Sequence, residues 1–279
     1  MNWWKHIPGH INPNIIQIGT FQLRYYGVMY IVAFILIYFL VLFRLKNERF
    51  NFTKEIIQNY LGWVLLGVMI GGRLGYVLFY DLNFFLANPL KIICPFEITK
   101  MGINYTGIFG MSYHGGLVGV ILVSILFSNK YKINLWQLAD LLSPTIPLGY
   151  TFGRIGNFIN GELYGRVTTV PWAMYFPLDL THQLRHPSQL YEAFFEGIFL
   201  FLILWSLRKT KVFDGFLFCL YLIGYGIVRF FIEFVREPDS QLGFILGPFT
   251  MGQILCVCMI FIGVFIIIIK KEHITKQSR

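Results

Sequence analysis

Long apolar runs separated by short polar segments dominate the chain. In order they cover about Leu23 to Phe43, Ile56 to Tyr80, Thr106 to Phe127, Leu135 to Phe152, Ser188 to Leu207, Phe216 to Val235 and Phe249 to Ile269. Several reach the roughly 20 residues that an α-helix needs to cross the hydrocarbon of a bilayer. The fourth run is short and carries Pro144 and Pro147, which remove backbone donors and predict a kinked or broken helix. The pattern predicts an all-α polytopic membrane protein with seven transmembrane helices. No long repeat, linker or low-complexity stretch interrupts it, so residues 1–279 read as a single integral-membrane domain.

Composition supports the membrane reading: 56% of the residues are hydrophobic and only 13% charged, more apolar than a soluble domain. The net charge of +9 then has a local cause. Arg44, Lys46, Arg49 and Lys54 follow the first run, Lys130 and Lys132 the third, Arg208, Lys209 and Lys211 the fifth, and Lys270, Lys271, Lys276 and Arg279 the seventh. Basic loops stay cytoplasmic, so alternate helix ends lie inside, with the N-terminus outside and the C-terminus cytoplasmic. The charge thus reflects topology, and no nucleic-acid partner is expected. The opening MNWWKHIPGH lacks the basic start and cleavage site of a signal peptide, so insertion is expected to use the first apolar run. Cys94, Cys219, Cys256 and Cys258 read as packing residues; Cys256 and Cys258 point to opposite sides of one helix.

The most polar stretch is Gly153 to Arg166, GRIGNFINGELYGR. Its four glycines predict backbone that bends and approaches a ligand closely, with freed amides and Arg154 gripping an anion such as a lipid phosphate. On the seven-helix topology Tyr26, Arg73, His114, Arg154, Glu192, Arg229, Glu233 and Gln253 all fall toward the outer face. Charges at such depth are expensive, which points to a shared polar cavity in the outer half of the bilayer. Structural readings stand beside this one. Arg229 and Glu233, at i and i+4, can satisfy each other, His114 can be a core residue, and Gly67, Gly71 and Gly75, spaced by four, suit close helix packing. The functional reading of His114 rests on neighbouring Gly115 and Gly116 and on imidazole titrating near neutral pH. There is no P-loop, zinc-type HExxH or GxSxG elbow. His182 and His186 lack a carboxylate cluster, and Pro187 opposes a helix there, so neither a metal nor a cofactor is expected. An anion transporter or a seven-helix receptor also remains open, although polar residues gathered on one side only, without an inverted repeat, speak against the transporter.

The signature GRIGNFINGELYGR resembles that of the prolipoprotein diacylglyceryl transferases, and RYYGVMY, GGRLGYVLFY, MSYHGGLVG, RHPSQLYE and RFFIEFVREPD look like further blocks of the same family, in order along nearly the whole chain. The resemblance implies an enzyme of the bacterial cytoplasmic (inner) membrane with its active site toward the outer face. It would move the diacylglyceryl group of phosphatidylglycerol to the lipobox cysteine of a prolipoprotein, releasing glycerol phosphate. Carried over by position, Arg154 and Asn157 bind the lipid headgroup with support from Asn160, Glu162 and Gly165. Arg229 stabilises the leaving phosphate and is oriented by Glu233. His114 takes the thiol proton, and Tyr26 hydrogen-bonds in the same cavity. Arg73 is expected among the lipid-binding residues. An arginine-rich environment that lowers the thiol pKa is the alternative to a single base.

Overall fold

The structure is a computed structural model that describes residues 3–18, 21–48, 50–93, 96–99, 102–105, 110–238 and 244–277. Cys94, Arg49, Arg279 and the expected start of the third run at Thr106 lie outside these residues. Short helical turns at Trp3–His6 and Ile7–His10 precede a hairpin of β1 (Asn14–Ile18) and β2 (Phe21–Arg24). Helices α1 (Tyr25–Asn47) and α2 (Lys54–Phe79) follow, then a hairpin of β3 (Phe96–Thr99) and β4 (Gly102–Tyr105). Next come α3 (Tyr113–Tyr131), α4 (Leu135–Leu142), α5 (Ile146–Asn160), α6 (Ser188–Ser206) and α7 (Phe216–Ile232). The hairpin of β5 (Phe244–Leu246) and β6 (Phe249–Thr250) leads into α8 (Met251–Gln277).

The molecule is mostly helical, and among the described residues α1, α2, α6 and the stretch Met251–Glu272 of α8 are long and apolar enough to cross a membrane. Helix α7 is apolar but shorter. Among the described residues three short antiparallel hairpins accompany the helices of this all-α membrane fold. Each strand has five residues or fewer, too short for period-two alternation to stand out beside the apolar runs.

The chain forms two compact units, Met1–Phe50 with Trp136–Arg279, and Asn51–Leu135. In the first, α1 packs on α5, α5 on α6, and α7 on α8. The expected break in the fourth run falls between α4 and α5. Pro144 has no N–H to offer the carbonyl of Asp140, and Arg44 replaces it. Its Nη1 donates to the carbonyls of Asp140 and Leu141, each at 2.6 Å. Its Nη2 reaches the Arg208 carbonyl at 3.1 Å, and Nε and Nη2 hold the Glu48 carboxylate. Arg44, expected in the basic flank, is fully buried. An unsatisfied buried carbonyl costs about 1 to 3 kcal/mol, so one guanidinium stabilises a break that would otherwise leave two. The Asp140 carboxylate accepts from the backbone N–H groups of Gly215 and Phe218 at 2.7 and 3.0 Å, capping α7.

In the second unit α2 and α3 meet along glycine. A Cβ at Gly71 would fall on the Gly115 carbonyl oxygen and 2.8 Å from the Gly119 Cα, and one at Gly75 would lie 2.7 Å from the Gly115 Cα. The close-packing reading of Gly67, Gly71 and Gly75 therefore holds: the backbones touch where side chains would keep them apart. Tyr60 and Ser124 share a hydrogen bond across the pair at 2.8 Å.

Candidate functional site

The signature Gly153 to Arg166 divides in two. Through Asn160 it continues α5 as regular helix, so its backbone amides are not freed as the glycine count suggests. Gly156 instead admits the Tyr26 ring of α1, 3.1 Å from where a Cβ would stand. Gly161 then ends the helix with φ +70°, a left-handed cap that suits glycine. The remainder is stitched to neighbouring segments. Gly165 N–H donates to the His186 carbonyl at 2.8 Å, and Arg166 N–H to that of Val235 at 2.8 Å. Gln189 Nε2 donates to the Glu162 carbonyl at 2.7 Å, and Ser188 Oγ to that of Leu163 at 3.1 Å. A Cβ at Gly165 would collide with the Val235 carbonyl and with His186. The loop thereby fixes the start of α6 against the end of α7.

At that start stands Glu192, wholly buried. Its Oε2 lies 2.8 Å from Arg154 Nε and 3.1 Å from Arg229 Nη1, and accepts from the Tyr150 hydroxyl at 3.2 Å. Its Oε1 takes Arg236 Nη1 at 3.2 Å. One carboxylate thus joins guanidinium groups from α5, from α7 and from the segment after α7. Glu196, also fully buried, lies 3.5 Å from Arg229 Nη1. Residues Glu192–Phe199 of α6 follow the wider i→i+5 hydrogen-bond pattern, which recurs at functional sites. The Ala193 carbonyl accepts the Thr151 hydroxyl of α5 at 3.2 Å, and Gly197 leaves room for that threonine.

The other expected residues of this unit surround the cluster. Arg229 Nη2 meets Glu233 at 2.7 Å, so the i,i+4 pair forms. Glu233 also accepts from Thr250 Oγ1 at 2.9 Å. Arg154 Nε donates to the Tyr150 hydroxyl at 2.7 Å and Nη1 to Asn157 Oδ1 at 3.3 Å. Asn157 Nδ2 reaches Glu162 at 2.8 Å, and Asn160 Nδ2 reaches the same oxygen at 3.4 Å. The Tyr26 hydroxyl bonds that of Tyr30 at 3.0 Å. Arg154 Nη2 has no hydrogen-bond partner among the described residues, although its side chain keeps 17% exposure. A guanidinium fixed on one edge and open on another is preorganised for an oxyanion.

Arg73 and His114 belong to the other unit. Arg73 donates to the carbonyls of Ile92 at 2.7 Å, Lys91 at 2.6 Å and Gly110 at 3.3 Å, and its guanidinium lies 4.9 Å from the centre of the Phe85 ring. It thereby ties together the segment beyond α2. His114 is exposed in the first turn of α3, its ring edge-on to Tyr113 at 5.6 Å. Sequence reasoning gave Glu192 a depth but no role, and it passed over Glu196, Arg236 and Tyr150. The available signal was two glutamates four apart in an otherwise apolar helix, since buried carboxylates require cationic partners.

Between α5 and α6, Arg185 clamps Asp179 through Nε at 2.8 Å and Nη2 at 3.0 Å. These hydrogen bonds, helped by Thr181, hold the Asp179 carboxyl well below the usual carboxylate range, and burial opposes them without prevailing. Burial lowers the pKa of nearby His186. Tyr191 accepts from Trp172 Nε1 at 2.6 Å, so its own proton is available to His186 Nδ1 at 3.1 Å.

A family model described as prolipoprotein diacylglyceryl transferase matches residues 13–269. The chain is 53% identical over 271 residues to a protein of Chlorobaculum tepidum named phosphatidylglycerol–prolipoprotein diacylglyceryl transferase, covering 97% of this chain and 94% of that one. Proteins of the same name from Campylobacter hominis and Campylobacter curvus are 45% and 44% identical. Those two matches cover 94% and 99% of this chain, and 92% and 100% of theirs. On a family match over most of its length and on relatives of this similarity, the chain belongs to the prolipoprotein diacylglyceryl transferase family.

Proposed function

We propose that the protein transfers the diacylglyceryl group of phosphatidylglycerol to the cysteine thiol of a prolipoprotein lipobox, as the names of its relatives state for their donor and acceptor. The thiolate sulfur bonds to the glyceryl carbon, and the bond from that carbon to the phosphate oxygen breaks. Both electrons leave with glycerol phosphate, which gains one negative charge. The charge therefore grows on phosphate, and stabilising it there lowers the barrier.

The observation that most supports this reading is the convergence of Arg154, Arg229 and Arg236 on Glu192, with Arg154 Nη2 left open. Arg154 with Asn157 takes the headgroup phosphate, and Asn160, Glu162 and Gly165 hold that part of the site in shape. Arg229, oriented by Glu233, answers the developing charge. Tyr26, against Gly156, borders the headgroup position. His114 receives the thiol proton and passes it to solvent. Arg73 is assigned to binding of the lipid substrate.

The fold is read as seven transmembrane helices in a single catalytic domain of the bacterial inner membrane, N-terminus outside and C-terminus cytoplasmic, with a polar cavity toward the outer face. The basic segments after alternate apolar runs support this orientation. The test uses purified full-length protein, phosphatidylglycerol labelled in its glyceryl group, and a lipobox peptide. The expected result is a thioether-linked diacylglyceryl peptide with equimolar glycerol phosphate. Label that stays in phospholipid while the peptide remains unmodified would refute the assignment.

A further inference from the structure

Beyond the Glu196–Arg229 pair, α6 and α7 are separated by an apolar groove of about 290 Å³. Its lining includes Leu200 and Leu204 of α6 and Leu207, the first residue past that helix. Leu200 and Leu204, four apart, share one helical face, which begins just past the wide turns that hold Glu196. On α7 the lining includes Leu220, Gly224 and Ile227, and ends at Val228, next to Arg229. The groove therefore begins one residue from Arg229 along the chain and follows residues 199–207 and 220–228, eight rises of 1.5 Å or about 12 Å. No lining residue is polar. Its floor, Leu200 and Leu204, is buried, while Phe199, Ile203 and Ile227 at the rim are exposed, so an occupant can slide in from the side. Gly224 keeps it open, since a Cβ there would stand 2.7 Å from Leu200 Cδ1.

We propose that this groove seats one acyl chain of the phospholipid donor. The inference rests on the donor reading above, because a lipid whose phosphate is held by Arg154 and Arg229 must direct its chains away from that charge. The groove is too small for a helix, which with side chains is about 10 to 12 Å across, and its wall offers a polar chain no partner. A segment of a single hydrocarbon chain matches its length and its wholly apolar lining, and burying that segment supplies binding energy in proportion to the apolar area covered.

The test compares wild type, Gly224→Leu and Ile227→Trp in mixed micelles, with phosphatidylglycerol carrying sixteen-carbon or six-carbon chains and a lipobox peptide as acceptor. Gly224→Leu fills the groove from its wall. Ile227→Trp fills it from the exposed rim and serves should the first variant fold poorly. Both are expected to lose about tenfold in kcat/KM on the long-chain donor, mainly through KM, and little on the short-chain donor. Turnover with the wild-type ratio of long-chain to short-chain rates in both variants would overturn the groove assignment alone, leaving the groove to bulk lipid or a second copy. Absence of thioether product from wild type would overturn the donor reading and this assignment together.

Discussion

Glu192 bears the largest share of the site's order, because one buried carboxylate fixes three guanidinium groups and a tyrosine hydroxyl. Removing one partner of a buried pair costs about 3 to 5 kcal/mol, since the remaining charge is left uncompensated. Glu192→Gln keeps the shape and removes the charge, so Arg154 and Arg229 should lose their fixed positions. Transfer should fall at least about tenfold, with partial recovery in Glu192→Asp; turnover assays in which Gln and Glu behave alike would show that the charge does not order the arginines. For His114→Gln the loss should be large at neutral pH and shrink toward alkaline pH, because above about 8.5 the acceptor thiol ionises unaided. A pH–rate profile lowered equally throughout would assign His114 a structural role. The sequence made Arg229–Glu233 legible because both lie one turn apart on one helix. It concealed the role of Glu192, whose partners all come from other elements.

At the scale of elements, the apolar runs located the helices, and Pro144 with Pro147 located the break between α4 and α5. The glycines misled in one place and served in another. In the signature they read as a bent anion cradle, but Gly156 sits within a helix and makes room for Tyr26. In α2 the four-residue spacing gave the correct reading, because a helix repeats its face at that interval. Gly71→Leu should therefore destabilise the second unit by about 1 to 3 kcal/mol or more, as overpacking does. Gly62→Leu on the same helix is the control, since a Cβ at Gly62 would meet nothing within 4 Å. Equal thermal unfolding of the two variants in detergent would contradict the glycine seam. The Asp179–Arg185 clamp makes a separate prediction. The folded carboxyl titrates below its unfolded value of about 3.9, so its stabilisation is full above that pH and fades as pH falls through the lower folded value. Asp179→Asn should lower the melting temperature at neutral pH, with the gap narrowing below pH 4; a gap constant with pH would show that the charge is not responsible.

For the molecule as a whole, membrane class and family were legible in the sequence because both are written locally, in hydropathy and in contiguous motifs. Short hairpins and long-range ion pairs were not legible, since neither leaves a periodic trace. If Arg154 carries the donor phosphate, its loss should be felt in thioether formation by Arg154→Ala in phosphatidylglycerol nanodiscs, measured beside wild type. The lost guanidinium should lower turnover about 10²- to 10³-fold, the effect of removing one preorganised donor to a developing anion, while the protein remains folded and monodisperse. Turnover within a factor of two of wild type would contradict it.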